Sequence, residues 1–438
     1  MAQDVGVSAA CVPPARELEG WLRWIAEQHP VSIELTLDRV RHVADRLHIA
    51  PSVPVITVGG TNGKGSTCAM LEAMLDRAGY RTGLYTSPHL LRYNERVRIS
   101  RREADDDALC RAFAAVEAAR GEVSLTYFEF GTLAALWLMR EASVDVMILE
   151  VGMGGRLDAV NIVDADCAVV ASVDLDHMEF LGDTRDRIGF EKAGIFRASR
   201  PAVCGDPDPP PSLVEHARAI GARLLVAGVD FSALDEGGGQ WRYRGPGRSR
   251  YGLPFPALRG DYQLGNAAVA ITALDTVSDR LPVSAEAVRT GLLTAEIPGR
   301  FQVVPGRPTV ILDVAHNPHA ARVLARSLSR MPPDGARTIA VFSMLGDKDI
   351  EGVVREVKAC IDAWYVAPTD GARSTPVSRL REALTRASAL DPTHEFDTLP
   401  AAWRAAREAA RDNDRIVVFG SFHTVAEVLP AIRSALAP

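Results

Sequence analysis

Apolar positions recur at helical spacing over residues 18–25 and again over 37–47. The pattern then changes to short apolar runs, each bounded by turn residues. The run 53–58 ends in Gly59-Gly60 and reads as a buried strand entering a turn; residues 66–78 read as the helix that follows. Further strands are predicted at 82–85, 144–149, 168–173, 201–204 and 224–227, most of them separated by helical stretches. That alternation predicts a mainly parallel sheet with helices on both faces. Residues 229–262 are richer in Gly, Arg and aromatics and read as a small antiparallel patch or a long excursion, followed by a helix over 265–277. The segment Ile297-Pro298-Gly299-Arg300 reads as a hinge. Beyond it the strand–helix rhythm restarts, with strands at 310–314, 338–342, 364–367 and 416–419. The expected organisation is two α/β domains, 1–296 and 297–438, with residues before about 17 a loose tail.

Length agrees with this division, because 438 residues exceed one ordinary core. The chain is 47% hydrophobic and 24% charged, which gives it ample core material. The net charge of −7 arises from interleaved acids and bases, so no basic face points to nucleic acid. Six scattered cysteines without a CxxC pair argue against a disulfide scaffold or zinc site and for a reducing cytoplasm. No signal peptide is read, and the most apolar helical stretch, 132–139, is far shorter than the roughly 20 residues of a membrane span.

The candidate chemistry starts where the first strand ends. Residues 57–67 read TVGGTNGKGST, between a strand and a helix, which is the setting of a phosphate-binding loop. Glycines let backbone N–H groups converge on phosphate oxygens, and the helix N-terminus adds partial positive charge. Lys64 can reach outer phosphates and the Ser66 hydroxyl can meet Mg²⁺. The string departs from Walker A: Val58 stands where its first Gly belongs, and Gly65 separates Lys64 from the hydroxyl residue. Two later strands end in carboxylates, at Glu150 and at Asp174-Leu175-Asp176-His177, where α/β sheets place ligands. Taken alone, Glu150 reads equally as a salt-bridge partner and His177 as a helix cap. Lys192 reads as a surface lysine, Arg300 as a solvated one, and Asn317-Pro318 as a turn with a helix start. Asp313 and His316 end the first strand of the second domain.

In order along the chain stand GGTNGKGST, YTSPHL, LTYFEFGT, LEVGMGGRLD, EKAGIFR, IPGRFQ, DVAHNPH, MLGDKD and GSFHTVAEV. Together they resemble the folylpolyglutamate synthase/dihydrofolate synthase family of the Mur-ligase superfamily, most closely its bifunctional bacterial members. The resemblance implies a P-loop-type N-terminal sheet and a smaller Rossmann-like C-terminal domain. It implies a cytoplasmic, monomeric ligase that uses ATP and two Mg²⁺ ions to join L-glutamate to dihydropteroate and to reduced folates. It assigns Thr61, Asn62, Gly63, Lys64, Gly65, Ser66, Asn266, Arg300 and Asp313 to ATP, and Ser66, Ser87, Glu150 and His177 to metal. It assigns His29, Thr126, Phe128, Glu129, Leu157, Asp158 and Ala159 to the pteroate. Lys64, Lys192 and His316 would be catalytic, with Lys192 carbamylated. A carbamate needs a neutral amine, so the Lys192 pKa must fall from about 10.4. His316 is a candidate base, with a metal-neighbour or helix-capping role equally open. Val160 departs from the small hydroxyl residue or Gly usual there, and Val314 from the usual Gly.

Three rivals stay open. A cell-wall Mur ligase would be expected to carry a sugar-nucleotide domain ahead of the loop, where only about 50 residues stand. A non-catalytic nucleotide-binding module would have no use for Glu150, His177, Lys192, Arg300 and Asp313 together. A monofunctional dihydrofolate synthase or folylpolyglutamate synthase would share every motif, although LTYFEFGT leans toward dihydropteroate use.

Overall fold

The computed structural model describes residues 17–436 apart from 32, 261, 332–336, 372 and 390. The expected N-terminal tail and Cys11 lie outside the described residues. The first sheet contains β1 (Val55–Gly59), β2 (Thr82–Tyr85), β3 (Val97–Ile99), β4 (Arg102–Glu103), β5 (Val146–Glu150), β6 (Cys167–Val170), β7 (Pro201–Cys204) and β8 (Arg223–Val226). Their order is β4-β3-β2-β5-β1-β6-β7-β8. All pairs are parallel except the edge hairpin made by β2, β3 and β4. Every residue of β1 and β5 is buried, as befits strands covered on both faces. Strands β3 and β4 escaped the sequence reading because two or three residues carry too little periodicity to be recognised.

Helix Lys64–Arg77 follows β1 and begins two residues earlier than predicted. Gly63, at φ 87°, makes the abrupt turn that starts it. Strand β6 stops at Val170 rather than at 173, because the chain bends over the phosphate loop. The Thr61 N–H donates to Ser172 O at 2.8 Å, and the Ala171 N–H to Gly59 O at 2.9 Å.

Residues 229–262 do contain an antiparallel patch: β9 (Ser232–Gly237), β10 (Gln240–Gly245) and β11 (Arg248–Pro254). Trp241, Tyr243 and Leu253 bury one face of it. The Tyr243 hydroxyl meets Thr272 Oγ1 at 2.9 Å, and Arg250 makes two 2.7 Å bonds to Asp275. Both contacts fix the patch to helix Tyr262–Thr276, which lies against helix Lys64–Arg77.

The second sheet contains β12 (Gln302–Val304), β13 (Thr309–Asp313), β14 (Thr338–Phe342), β15 (Ala363–Val366), β16 (Thr393–Glu395) and β17 (Arg415–Phe419). Its order is β12-β13-β17-β14-β15-β16, with only β12 antiparallel. The short edge strands β12 and β16 were not predicted. Both sheets direct carboxyl ends of central strands into one cleft: β1, β5 and β6 from one side, β13, β14 and β17 from the other. Among the described residues no helix is long and apolar enough to cross a membrane.

Candidate active site

The phosphate loop is held from behind. Thr61 Oγ1 accepts from the Asp174 N–H and donates to Asp174 O, both at 3.0 Å. Ser172 Oγ accepts from the Asn62 N–H and donates to Asn62 O, also at 3.0 Å. A Cβ on Gly63 would stand 2.6 Å from Asn266 Oδ1, and one on Gly65 would stand 2.8 Å from Ile297 Cδ1. Gly63, at φ 87°, is favoured by its left-handed backbone, and both glycines lie close against side chains of the long helix and of Ile297. Lys64 Nζ donates to Gly60 O at 2.9 Å and Thr61 O at 3.3 Å. Gln263 Nε2 donates to Ser66 Oγ at 3.2 Å, and Asn266 Nδ2 to Gln263 Oε1 at 3.0 Å.

A cavity of about 110 Å³ opens beside this loop, lined by Lys64, Ser87, Glu150, His177, Lys192 and, from the C-terminal half of the chain, Arg300 and His316. Glu150 is buried without an ion pair among the described residues, so it is not the salt-bridge partner sequence alone allowed. Burial raises its pKa, against the opposing pull of Lys64 and of the Ser87 N–H, which donates to Glu150 Oε2 at 3.2 Å. His177 occupies an N-cap position but makes no side-chain cap bond, and burial lowers its pKa to about 4. Lys192 is not on the surface: it is 4% exposed. Helix Arg185–Ala193 packs against the Gly155–Arg156 turn and turns Lys192 inward. Burial, then the nearby Lys64, lowers its pKa to about 7. That is the neutral-amine condition a carbamate requires.

The fit to a nucleotide and divalent metal rests on this donor set. Glycine backbone, a lysine, two hydroxyls and a buried carboxylate suit phosphate and a hard, oxygen-seeking cation. Among the described residues no group of three or more His, Cys, Asp or Glu side chains is arranged to hold a metal ion by itself. Such a cation would therefore keep water and phosphate among its ligands.

On the far side of the loop a second cavity, about 290 Å³, is lined by Asn266, Tyr262, Arg300, Asp313 and the helix carrying His319. Asp313 accepts from the Phe301 and Ala315 N–H groups, both at 2.8 Å. Burial raises its pKa while Arg300 opposes the rise. Arg300 is not simply solvated, since its guanidinium lies 5.2 Å from the Phe422 ring centroid. Asn317 caps helix Pro318–Ser329, accepting from the Ala320 N–H at 2.9 Å. It also accepts from Asn62 Nδ2 at 3.3 Å, joining the two halves of the cleft. Val314 is fully buried, and its side chain fills the space where a Cβ on Gly299 would fall, 3.0 Å away.

Asp176 and Lys348 were not singled out by sequence. Lys348 Nζ reaches Asp176 Oδ1 across the cleft at 2.7 Å. Asp176 Oδ2 stands 3.7 Å from His316 Nε2 and 3.9 Å from His177 Nε2. Burial alone would raise the Asp176 pKa, but His316, His177 and Lys348 hold it well below the carboxylate range. His316 Nδ1 faces Val314 O at 2.9 Å, so the ring is oriented rather than capping a helix. The MLGDKD string and the DLDH strand end carried these residues, but only folding shows that they pair. Asp176→Asn is expected to lower kcat on the order of 10²-fold with ATP affinity retained, since it frees Lys348 and both histidines at once. Steady-state kinetics beside nucleotide titration checks this; an unchanged kcat removes Asp176 from the machinery.

The remaining predicted residues form a separate wall. The Phe128 ring covers Gly152, whose missing Cβ would stand 2.7 Å from it, and lies 5.9 Å from the Tyr85 ring centroid. Asp158 accepts from the Met153 N–H at 2.9 Å and the Val160 N–H at 3.1 Å, and burial raises its pKa to about 6. Ala159 and Val160 are buried beside it, and Leu157 is partly exposed. Thr126 and Glu129 form a reciprocal capping box at the start of helix Tyr127–Glu141. Glu129 pairs with Arg39 at 3.1 Å, Arg39 with Glu34 at 2.8 Å, and Glu34 with His29 at 2.7 Å. Thus His29 joins this wall through two intermediates, Glu34 and Arg39, which sequence did not indicate.

The family models match in two blocks: the Mur ligase middle domain over residues 58–274 and the Mur ligase glutamate ligase domain over 299–422. The dihydrofolate synthase/folylpolyglutamate synthase of Escherichia coli is 46% identical over 95% of this chain and 96% of its own length. The chain belongs to the dihydrofolate synthase/folylpolyglutamate synthase family. Among solved structures of the family, Escherichia coli FolC in complex with DHPP and ADP is 45% identical. It superposes with a TM-score of 0.91, covering 97% of this chain and 99% of that one. A bifunctional folylpolyglutamate synthase/dihydrofolate synthase with Mn, AMPPNP and L-glutamate bound gives 0.89 at 45% identity, covering 96% and 100%. Family membership therefore extends over both halves of the cleft.

Proposed function

We propose that this protein is an ATP-dependent ligase adding L-glutamate to dihydropteroate and to the γ-carboxylate of reduced folates. The observation that carries the reading is the cavity uniting Lys64, Glu150 and Lys192 with Arg300 and His316 from the C-terminal half of the chain. Relatives in complex with DHPP and ADP, and with AMPPNP, Mn and L-glutamate, supply the same set of small molecules. The γ-phosphoryl group passes to the substrate carboxylate, giving an acyl phosphate and ADP. The glutamate amine then attacks the acyl carbon, phosphate leaves and the amine loses a proton. Both steps bring anions together, so catalysis is mainly positioning and charge neutralisation.

Mg²⁺, when bound, would supply much of that neutralisation; Ser66, Ser87, Glu150, His177 and a carbamylated Lys192 are the groups that would hold two such ions. The backbone of 61–66 and Lys64 bind the phosphates. Asn266 and Asp313 position the nucleoside end, and Arg300 faces the transferring group. His316, oriented by Val314 O and Asp176, is the candidate to take the amine's proton. Phe128 offers a flat face to the pterin, with Asp158 and the His29–Glu34–Arg39–Glu129 chain behind it. Residues 1–296 and 297–438 act as two bodies that close on the nucleotide and exclude water from the acyl phosphate. The enzyme works as a monomer in the cytoplasm.

The test is phosphate release with Mg-ATP, L-glutamate and either dihydropteroate or tetrahydrofolate. Glutamate-dependent release with both acyl substrates is expected. Release with one alone identifies a monofunctional enzyme, and none with either rejects the assignment. Phe128→Ala is expected to raise the KM for dihydropteroate about tenfold and leave that for ATP unchanged; a matched change in both would place Phe128 in general packing.

A further inference from the structure

Gln263 stands at the start of helix Tyr262–Thr276 and is fully buried. It does not line the 290 Å³ cavity, whereas Ser66 and Asn266 both do. A primary amide withdrawn from water is unfavourable unless its hydrogen bonds are replaced. Here it makes a bond in each direction. Nε2 donates to Ser66 Oγ at 3.2 Å, and Oε1 accepts from Asn266 Nδ2 at 3.0 Å. Ser66 belongs to the phosphate-loop helix, 197 positions away in the chain. Asn266 lies one turn further along the helix of Gln263 itself. Among the described residues Gln263 is the one hydrogen-bond partner that either side chain has.

The direction of these bonds decides what each partner has left. Ser66 Oγ uses one lone pair on Gln263. It keeps a second lone pair, which suits a hard cation, and an O–H, which suits a phosphate oxygen. Asn266 uses one N–H and keeps Oδ1, which faces Gly63: a Cβ there would stand 2.6 Å from it. Without Gln263 the serine hydroxyl could turn among its rotamers, and the Asn266 amide about its broad terminal torsion. Ser66 and Asn266 are the groups proposed above for the cation and for the nucleoside end. One buried amide therefore sets the orientation of both.

We propose that Gln263 is a positioning residue that couples the cation site at Ser66 to the nucleotide site at Asn266. The proposal rests on the ligase reading above and adds to it a path by which metal and nucleotide favour one another's binding. A Ser66 hydroxyl held in one orientation holds the Gln263 amide, and that amide holds Asn266 in the orientation the nucleotide meets. The same link runs in reverse, and by the same factor. Gln263 touches neither ligand, so its effect falls on nucleotide affinity and its metal dependence.

The test measures the dissociation constant of AMPPNP by calorimetry, with Mg²⁺ and with EDTA, for the unaltered protein and for Gln263→Met. Methionine keeps the length and burial of the side chain and removes both bonds. The factor by which Mg²⁺ tightens AMPPNP is expected to fall about tenfold. The KM values for dihydropteroate and L-glutamate, taken at saturating Mg-ATP, stay unchanged. Asn266→Ala supplies a second line, because Asn266 is no candidate for metal. The Mg²⁺ factor is expected to fall with it as well, and adding Gln263→Met lowers it little further. Equal Mg²⁺ factors for Gln263→Met and the unaltered protein overturn the proposal. So does an equal weakening of AMPPNP with and without Mg²⁺, which would make Gln263 a packing residue of its helix. Urea midpoints report the fold of each variant separately. Where Gln263→Met does not fold, the Asn266→Ala factor decides, and an unchanged value overturns the coupling. Failure of the unaltered protein to bind AMPPNP rejects the ligase reading, on which the coupling rests, and is told apart by that protein alone.

Discussion

Lys192→Ala is expected to lower turnover on the order of 10³-fold while leaving the fold and nucleotide binding intact. The argument starts from position: Lys192 is buried in the cavity that holds Glu150, His177 and Lys64. An ammonium there would face Lys64 and compete with any bound cation. With its pKa lowered to about 7, a substantial part of the side chain is a free amine at neutral pH and can take up CO₂. A carbamate there would replace a repelling cation by an anion that balances Lys64. Alanine leaves a space of that shape and charge preference, so acetate or formate should restore part of the rate. Native mass spectrometry near neutral pH should find one added CO₂ on the parent protein and none on Lys192→Ala. A fully active Lys192→Ala enzyme would remove the residue from the mechanism.

The same shift fixes a sign for stability. In bicarbonate-free solution the folded Lys192 releases its proton near 7, whereas the unfolded chain keeps it to about 10.4. Between those values the unfolded state binds more protons, so stability rises with pH through this window. Below about 7 both states are protonated and the penalty of burying the charge is constant. Lys192→Met should flatten the rise, which urea midpoints at neutral and alkaline pH will show.

Lys64→Ala should be comparably severe, on the order of 10³-fold in kcat/KM, and for two reasons. It removes the cation closest to the phosphate loop, and it removes the charge that, after burial itself, most lowers the Lys192 pKa. Lys192 would then hold its proton more tightly and carbamylate less. The two losses therefore share a cause, and the double variant Lys64→Ala/Lys192→Ala should be far less impaired than the product of the single effects. A multiplicative outcome would mean that the two lysines act independently.

Sequence carried the parts of the site that depend on local geometry. A glycine-rich turn between strand and helix, carboxylates at strand ends, and a hinge before a second strand–helix series are all written in neighbouring residues. What it missed depends on distant residues meeting. Lys192 looked exposed because its helix is strongly polar, and only the packing of that helix on Gly155 and Arg156 turns it inward. Asp176 and Lys348 are 172 positions apart, and neither has a local feature that predicts the other. The link from His29 to Glu129 passes through Glu34 and Arg39, each an ordinary surface residue when read alone. The missed strands β3, β4, β12 and β16 are two or three residues long and exist because a neighbouring strand offers them a partner.

The antiparallel patch of β9 to β11 has a practical consequence for watching the enzyme move. Its tip, Gly237-Gly238-Gly239, has no heavy atom within 4 Å of where side chains would begin. Its base is bolted through Tyr243 and Arg250 to the helix that carries Asn266 into the 290 Å³ cavity. A fluorophore inserted at this tip would thus ride rigidly with one jaw of the cleft without touching it. A second label at exposed Glu408 would ride with the other. Energy transfer between them would report whether the two halves of the cleft approach and part during turnover, so that the proposed motion and turnover could be timed on the same molecule.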